Sequence, residues 1–270
     1  MSIALILVSG VLVAVIVAPI VKVLVHVLNL TRSNFCGRTT PLYGTAVVLA
    51  GLLLYSTIFW ACPSAQVGTF LLAVFIFGTA GLVDDLFGSR DVGGFMGHFG
   101  LLLRGKFTTG ALKAFLGGMG ALVICFIVGK GSITGSITSS ALIALMANAL
   151  NLLDLRPGRA VSCFWFGVLL LFAGTLGHLS VWREILSIMP VVIWLTTLDR
   201  SGKVMLGDAG SNTLGAILGL AIAWEVSLLW QLLIVLCLLI LHVYAEKYSI
   251  TRLIERNRIL NAIDSRLGVR

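Results

Sequence analysis

The sequence predicts an all-α membrane protein: one polytopic helix bundle with about nine transmembrane helices. Three observations carry this. Hydrophobic residues make up 59% of the 270 and charged residues only 11%, with a mean hydropathy of +1.07, whereas a soluble domain carries about 25% charged residues. Apolar runs long enough to cross a bilayer as helices recur along the whole chain. The charges between those runs fall in alternate connections.

Hydropathy places the runs at 3–24, 43–62, 66–83, 111–129, 135–153, 160–178, 182–198, 209–226 and 228–245. Residues 1–24 have neither a basic start nor a small-residue cleavage pattern, so they read as a retained helix rather than a removed signal. Alternation puts 25–42, 84–110, 154–159, 199–208 and the tail 246–270 on one side. Of the Lys and Arg residues only Lys130 and Arg183 fall on the other. By the positive-inside rule the first set is cytoplasmic, with the N-terminus outside and the C-terminus inside. The net charge of +8 then reflects loops facing an anionic leaflet, not nucleic acid. No linker or repeat divides the chain, so residues 1–245 form one bundle and 246–270 a basic amphipathic tail. Cys36, Cys62, Cys125, Cys163 and Cys237 are scattered without a CxxC spacing and read as small core residues.

The polar content gathers in three segments on the charged side. Asp84 and Asp85 end an uncharged run and open a glycine-rich loop containing His98, Arg104 and Lys106. Adjacent carboxylates at a helix C-terminus repel each other and face the negative end of the dipole, so they call for solvent or a cation. In NALNLLD, Asn148, Asn151 and Asp154 recur every three residues and so share a helix face. That row suits either a polar ligand or packing between helices. In GDAGSNTLG, Asp208 stands at a helix start, where an acid caps free N–H groups; the same N–H groups would otherwise hold phosphate.

In this order, VDD at Val83–Asp85, NALNLLD at Asn148–Asp154 and GDAGSNTLG at Gly207–Gly215 resemble the motifs of the polyprenyl-phosphate N-acetylhexosamine-1-phosphate transferases. RTTPLYG at Arg38–Gly44 is a weaker match, and the likeness runs from residue 1 to about 245. The resemblance implies Mg²⁺-dependent transfer of a sugar 1-phosphate from a UDP-sugar to a polyprenyl phosphate such as undecaprenyl phosphate, releasing UMP, at the cytoplasmic face of a bacterial-type plasma membrane. It implies Asp208 as a Mg²⁺ ligand with Asp84, and Asp84 and Asp85 as organisers of metal and attacking phosphate. Lys113 matches the family lysine that meets the pyrophosphate. Asn148, Asn151 and Asp154 join it as substrate contacts, and a homodimer is allowed; His98, a lone histidine in the glycine-rich loop, suits either a substrate contact or a structural hydrogen bond.

The chain also departs from that family. Where the family has a second acid three residues after the first, this chain has Pro157, flanked by Arg156 and Arg159. That acid helps recognise uracil, so the nucleotide is left open, and the two arginines suit either phosphate or positive-inside anchoring. The family's histidine-rich loop has no counterpart. In its place Ile250, Leu253, Ile254, Leu260 and Ile263 recur at near-helical spacing among Arg252, Arg256, Arg258 and Arg266. That tail is expected either to lie on the membrane or to cross the site. The competing function is a catalytically weak relative that binds polyprenyl phosphate or a partner protein; a transporter finds less support, since no inverted repeat is visible.

Overall fold

The computed structural model describes residues 2–88, 109–128, 132–175 and 180–269. Among these the chain forms α1 (Ile3–Val27), β1 (Thr31–Ser33), β2 (Thr39–Pro41), α2 (Thr45–Ala61), α3 (Ala65–Phe87) and α4 (Thr109–Val128). There follow α5 (Ile133–Leu153), α6 (Arg159–Gly174), α7 (Trp182–Arg200), α8 (Gly207–Glu225), α9 (Leu228–Lys247), α10 (Ile250–Arg256) and α11 (Arg258–Leu267). Nine of these helices stand at the nine expected positions, with ends shifted by a few residues. Starts are set by ordinary caps: the side chains of Ser2, Ser64 and Ser132 accept from the N–H groups of Leu5, Val67 and Gly135.

Four helices, α1, α3, α5 and α9, are long and apolar enough to cross a membrane, and α2, α6 and part of α4 are shorter apolar helices. Their burial differs with place. Only 17% of the apolar window of α1 and 11% of that of α9 is buried, against 50% in α3 and in α5. The first two therefore form the rim and the second two line the interior.

At the centre is α8, packed by α3 and α5 and touched by α2 and α6. Every residue of it except Asp208, Trp224 and Glu225 is buried. Its Gly, Ala, Ser, Asn and Thr content is too polar for a lipid-facing helix, and it does not need to be one. Without a hydrophobic drive between helices in lipid, close backbone approach through small residues supplies the association. A Cβ on Gly81 of α3 would overlap the carbonyl of Asp208, and one on Gly215 would overlap the backbone of α5 at Met146 and Ala147.

The described chain is nearly all α-helical, as expected, with one addition: β1 and β2 pair antiparallel, Thr31 opposite Pro41 and Ser33 opposite Thr39. The side chain of Asn34 accepts from the N–H groups of Cys36 and Arg38 at 2.9 and 3.0 Å, and Gly37 takes φ +76°. Three-residue strands are too short to show alternation, so this turn chemistry is their sole sequence signal.

Candidate functional site

The site is built where the chain enters α8. Met205 bridges in parallel to Leu42 beside the hairpin: its N–H donates to Pro41 O at 2.9 Å and the N–H of Tyr43 donates to its carbonyl at 2.8 Å. Gly207 then turns at φ +66°, a conformation costly to residues with a Cβ, and the helix begins.

A helix start leaves its first N–H groups without internal partners. Here two acids from elsewhere satisfy them. The N–H of Gly207 donates to Asp154 Oδ2 at 2.9 Å, and those of Asp208 and Ala209 donate to Asp85 Oδ1 and Oδ2, each at 2.9 Å. Each bond satisfies an amide that the helix itself leaves without a partner. This corrects the expectation for GDAGSNTLG: Asp208 is not the cap, and these amides are taken by carboxylates rather than open to phosphate. Leu206, at the cap position, makes no side-chain cap bond.

The acids form a group. Removal from water, then the charges of Asp199, Asp208 and Asp85 in that order, hold the carboxyl of Asp154 well above the usual carboxylate range. Asp199 ends α7, is buried, and accepts from the N–H of Gly158 at 2.8 Å. One cation joins from the hairpin: Arg32 donates to the backbone carbonyl of Asp84 at 2.5 Å and lies 3.9 Å from Asp85 Oδ1. Sequence reasoning passed over both Asp199 and Arg32, because neither stands in a motif. Asp199 at a span end beside a glycine-containing turn was the available signal; for Arg32 there was none.

The Asn148–Asn151–Asp154 row divides. Asn151 accepts from the hydroxyl of Ser211 at 3.0 Å and so turns to α8 with Asp154, whereas Asn148 is exposed. Asp84 is half-buried in the last turn of α3, one residue before the capping Asp85. Asp154 and Asp199 also line a narrow cleft with Asn34, Thr40, Arg156 and Phe35. The guanidinium of Arg156 stacks 4.4 Å from the Phe35 ring centroid and lies 3.5 Å from Glu255.

Arg159 is placed differently from the phosphate contact expected of it. It is buried, with Nε and Nη2 on the two oxygens of Asp264 at 2.6 and 2.9 Å and Nη1 on Thr251 Oγ1 at 2.9 Å. A buried guanidinium requires a partner acid, and the tail supplies one. His98 and the side chain of Lys113 lie outside the described residues; the backbone of Lys113 is in the first turns of α4.

Among the described residues no three His, Cys, Asp or Glu side chains form a ready-made metal cage. Mg²⁺ does not need one, since it keeps several waters and binds through one or two carboxylates plus substrate phosphate. The donor chemistry suits it, because the carboxylates of this group offer the oxygen ligands that Mg²⁺ prefers. Fold and site together define a helical bundle with membrane-length apolar helices and a cluster of acids at the start of its buried central helix. No protein-family model and no curated protein matches the chain.

Proposed function

We propose that the protein is a Mg²⁺-dependent membrane transferase that moves a sugar 1-phosphate from a nucleotide sugar, first a UDP-N-acetylhexosamine, to a polyprenyl phosphate. The observation that carries this reading is the gathering of Asp85, Asp154, Asp199 and Asp208 at one end of α8 from segments far apart in the chain. In this reading all nine long helices cross the membrane and that end faces the cytoplasm, at the depth of lipid headgroups.

An oxygen of the lipid phosphate bonds to the β-phosphorus of the nucleotide sugar, the bond from that phosphorus to the bridging oxygen breaks, and its electron pair leaves on UMP. A phosphate dianion needs no base, so the acids serve position and charge rather than proton abstraction. Bound Mg²⁺ would supply neutralisation of the two phosphate groups, held by Asp208 with Asp84. Asp85 and Asp154 fix the first turn of α8 and thereby the place of Asp208. Arg156, in the cleft over Phe35, is set to meet nucleotide phosphate; Lys113, Asn148 and His98 complete the proposed substrate contacts.

The test is purified protein with undecaprenyl phosphate, Mg²⁺ and a panel of nucleotide sugars, read as nucleoside monophosphate release. Asp208→Asn is expected to lower release by at least about 100-fold, some 2.7 kcal/mol of barrier, while the melting temperature holds. The second reading, a relative that binds the lipid phosphate without turnover, is favoured by the commitment of both Asp85 oxygens and one Asp154 oxygen to backbone N–H groups. Lipid phosphate binding with no product from any nucleotide sugar would establish it instead.

A further inference from the structure

We propose that α11 is an interfacial helix that binds an anionic lipid leaflet through Ile259, Ile263 and the surrounding arginines, while Asp264 latches it to the bundle. The inference is independent of any catalytic reading. It starts from where the chain leaves the membrane. Helix α9 exposes Leu236, Ile240 and Val243 on its rim and ends at Lys247, and α10 begins at Ile250. Three residue steps reach about 10 Å at most, so the tail starts at headgroup depth beside the lipid-facing rim.

Helix α11 is amphipathic in a way no membrane-crossing helix here is. Ile259 and Ile263, one turn apart, are 72% and 52% exposed. Asp264, about 100° further round the same helix, is buried against Arg159. The apolar stripe is therefore not used by the bundle, and Asp264 fixes the rotation that leaves it outward. Charge is sorted in the same way. Two of the tail's three acids, Glu255 and Asp264, turn to Arg156 and Arg159 of the bundle, while Arg252, Arg256, Arg258 and Arg266 are exposed. An apolar stripe flanked by cations at headgroup depth matches an anionic leaflet.

A second set of contacts pins the far end. Arg200 donates from Nε to Leu267 O at 2.6 Å and from Nη2 to Arg266 O at 2.7 Å, and the N–H of Val269 donates to Arg200 O at 3.0 Å. With Arg159 these hold the helix at two points, so lipid contact costs little further ordering.

Hydrogen exchange of the full chain in nanodiscs tests the proposal, comparing phosphatidylcholine alone with phosphatidylcholine containing phosphatidylglycerol. The expected result is severalfold slower exchange over residues 250–267 in the anionic discs, an excess that shrinks as salt rises. Ile259→Ser with Ile263→Ser should remove that lipid dependence while exchange in the membrane-length helices stays as it was. Equal exchange of the wild-type tail in both lipids overturns the proposal, as does lipid dependence that survives in the double variant. The wild-type comparison stands even where the variant fails to fold.

Discussion

Both oxygens of Asp85 receive backbone N–H groups of α8, that of Asp208 at 2.9 Å and that of Ala209 at 2.9 Å, across 123 positions of sequence between Asp85 and Asp208. One side chain from the end of α3 thus begins another helix and sets the orientation of its first turn. Asp85→Ala removes two hydrogen bonds and leaves two amides unmet, at a cost of about 2–3 kcal/mol. The expected outcome is a lower melting temperature with faster hydrogen exchange at Asp208 and Ala209; unchanged exchange there would show that the cap is dispensable.

Gly207 combines a left-handed backbone with a close neighbour. Its φ is +66°, and a Cβ would stand 2.9 Å from Asp85 Oδ2. Gly207→Ala should therefore cost about 1–2 kcal/mol for the left-handed backbone alone, plus displacement of the Asp85 carboxylate. Denaturation in detergent measures the first, and loss of protection at Ala209 reports the second.

The half-buried Asp154 ties stability to pH. Its carboxyl titrates above the ordinary range, so between the unfolded value of about 3.9 and the raised folded value the native state binds more protons than the unfolded one. Stability then falls as pH rises through that window. Melting of the metal-free protein across pH should show this decline, and Asp154→Asn should flatten it. A wild-type curve that rises over the same window contradicts the assignment.

Arg159 and Asp264 form a buried pair whose halves are unequal to lose. Arg159→Ala strands a buried carboxylate at a cost of about 3–5 kcal/mol, whereas replacing both partners, as Arg159→Met with Asp264→Leu, should restore most of it. Limited proteolysis between α10 and α11 reads the difference: rapid cleavage for the single variant, slow cleavage for the double. Equal cleavage of both would mean that Arg200 alone holds the tail.

The helices were legible because each is a local matter. An apolar run bounded by Ser2, Ser64 or Ser132 announces a helix and its start, and the period that put Asn151 and Asp154 on one face brought both to α8. The hairpin was hidden by its brevity. Asp199 and Arg32 were hidden because nothing near them in the chain is unusual; their importance comes from Gly158 and Asp84, 41 and 52 positions away.

By itself the sequence determined that the chain is a bundle of apolar helices, and that its acids lie at the ends of those helices, since a charge within an apolar run is expelled to its edge. Only the tertiary structure decided what each acid does. Asp208 stood at the helix start like a cap, yet Asp85 and Asp154 take the first amides of α8. Arg159 looked like a phosphate contact and became the anchor of the tail. Hydrogen-bond partners are chosen by which backbones can approach, here at Gly81 and Gly207 against α8 and Asp85, and that proximity is a property of packing that no local pattern encodes.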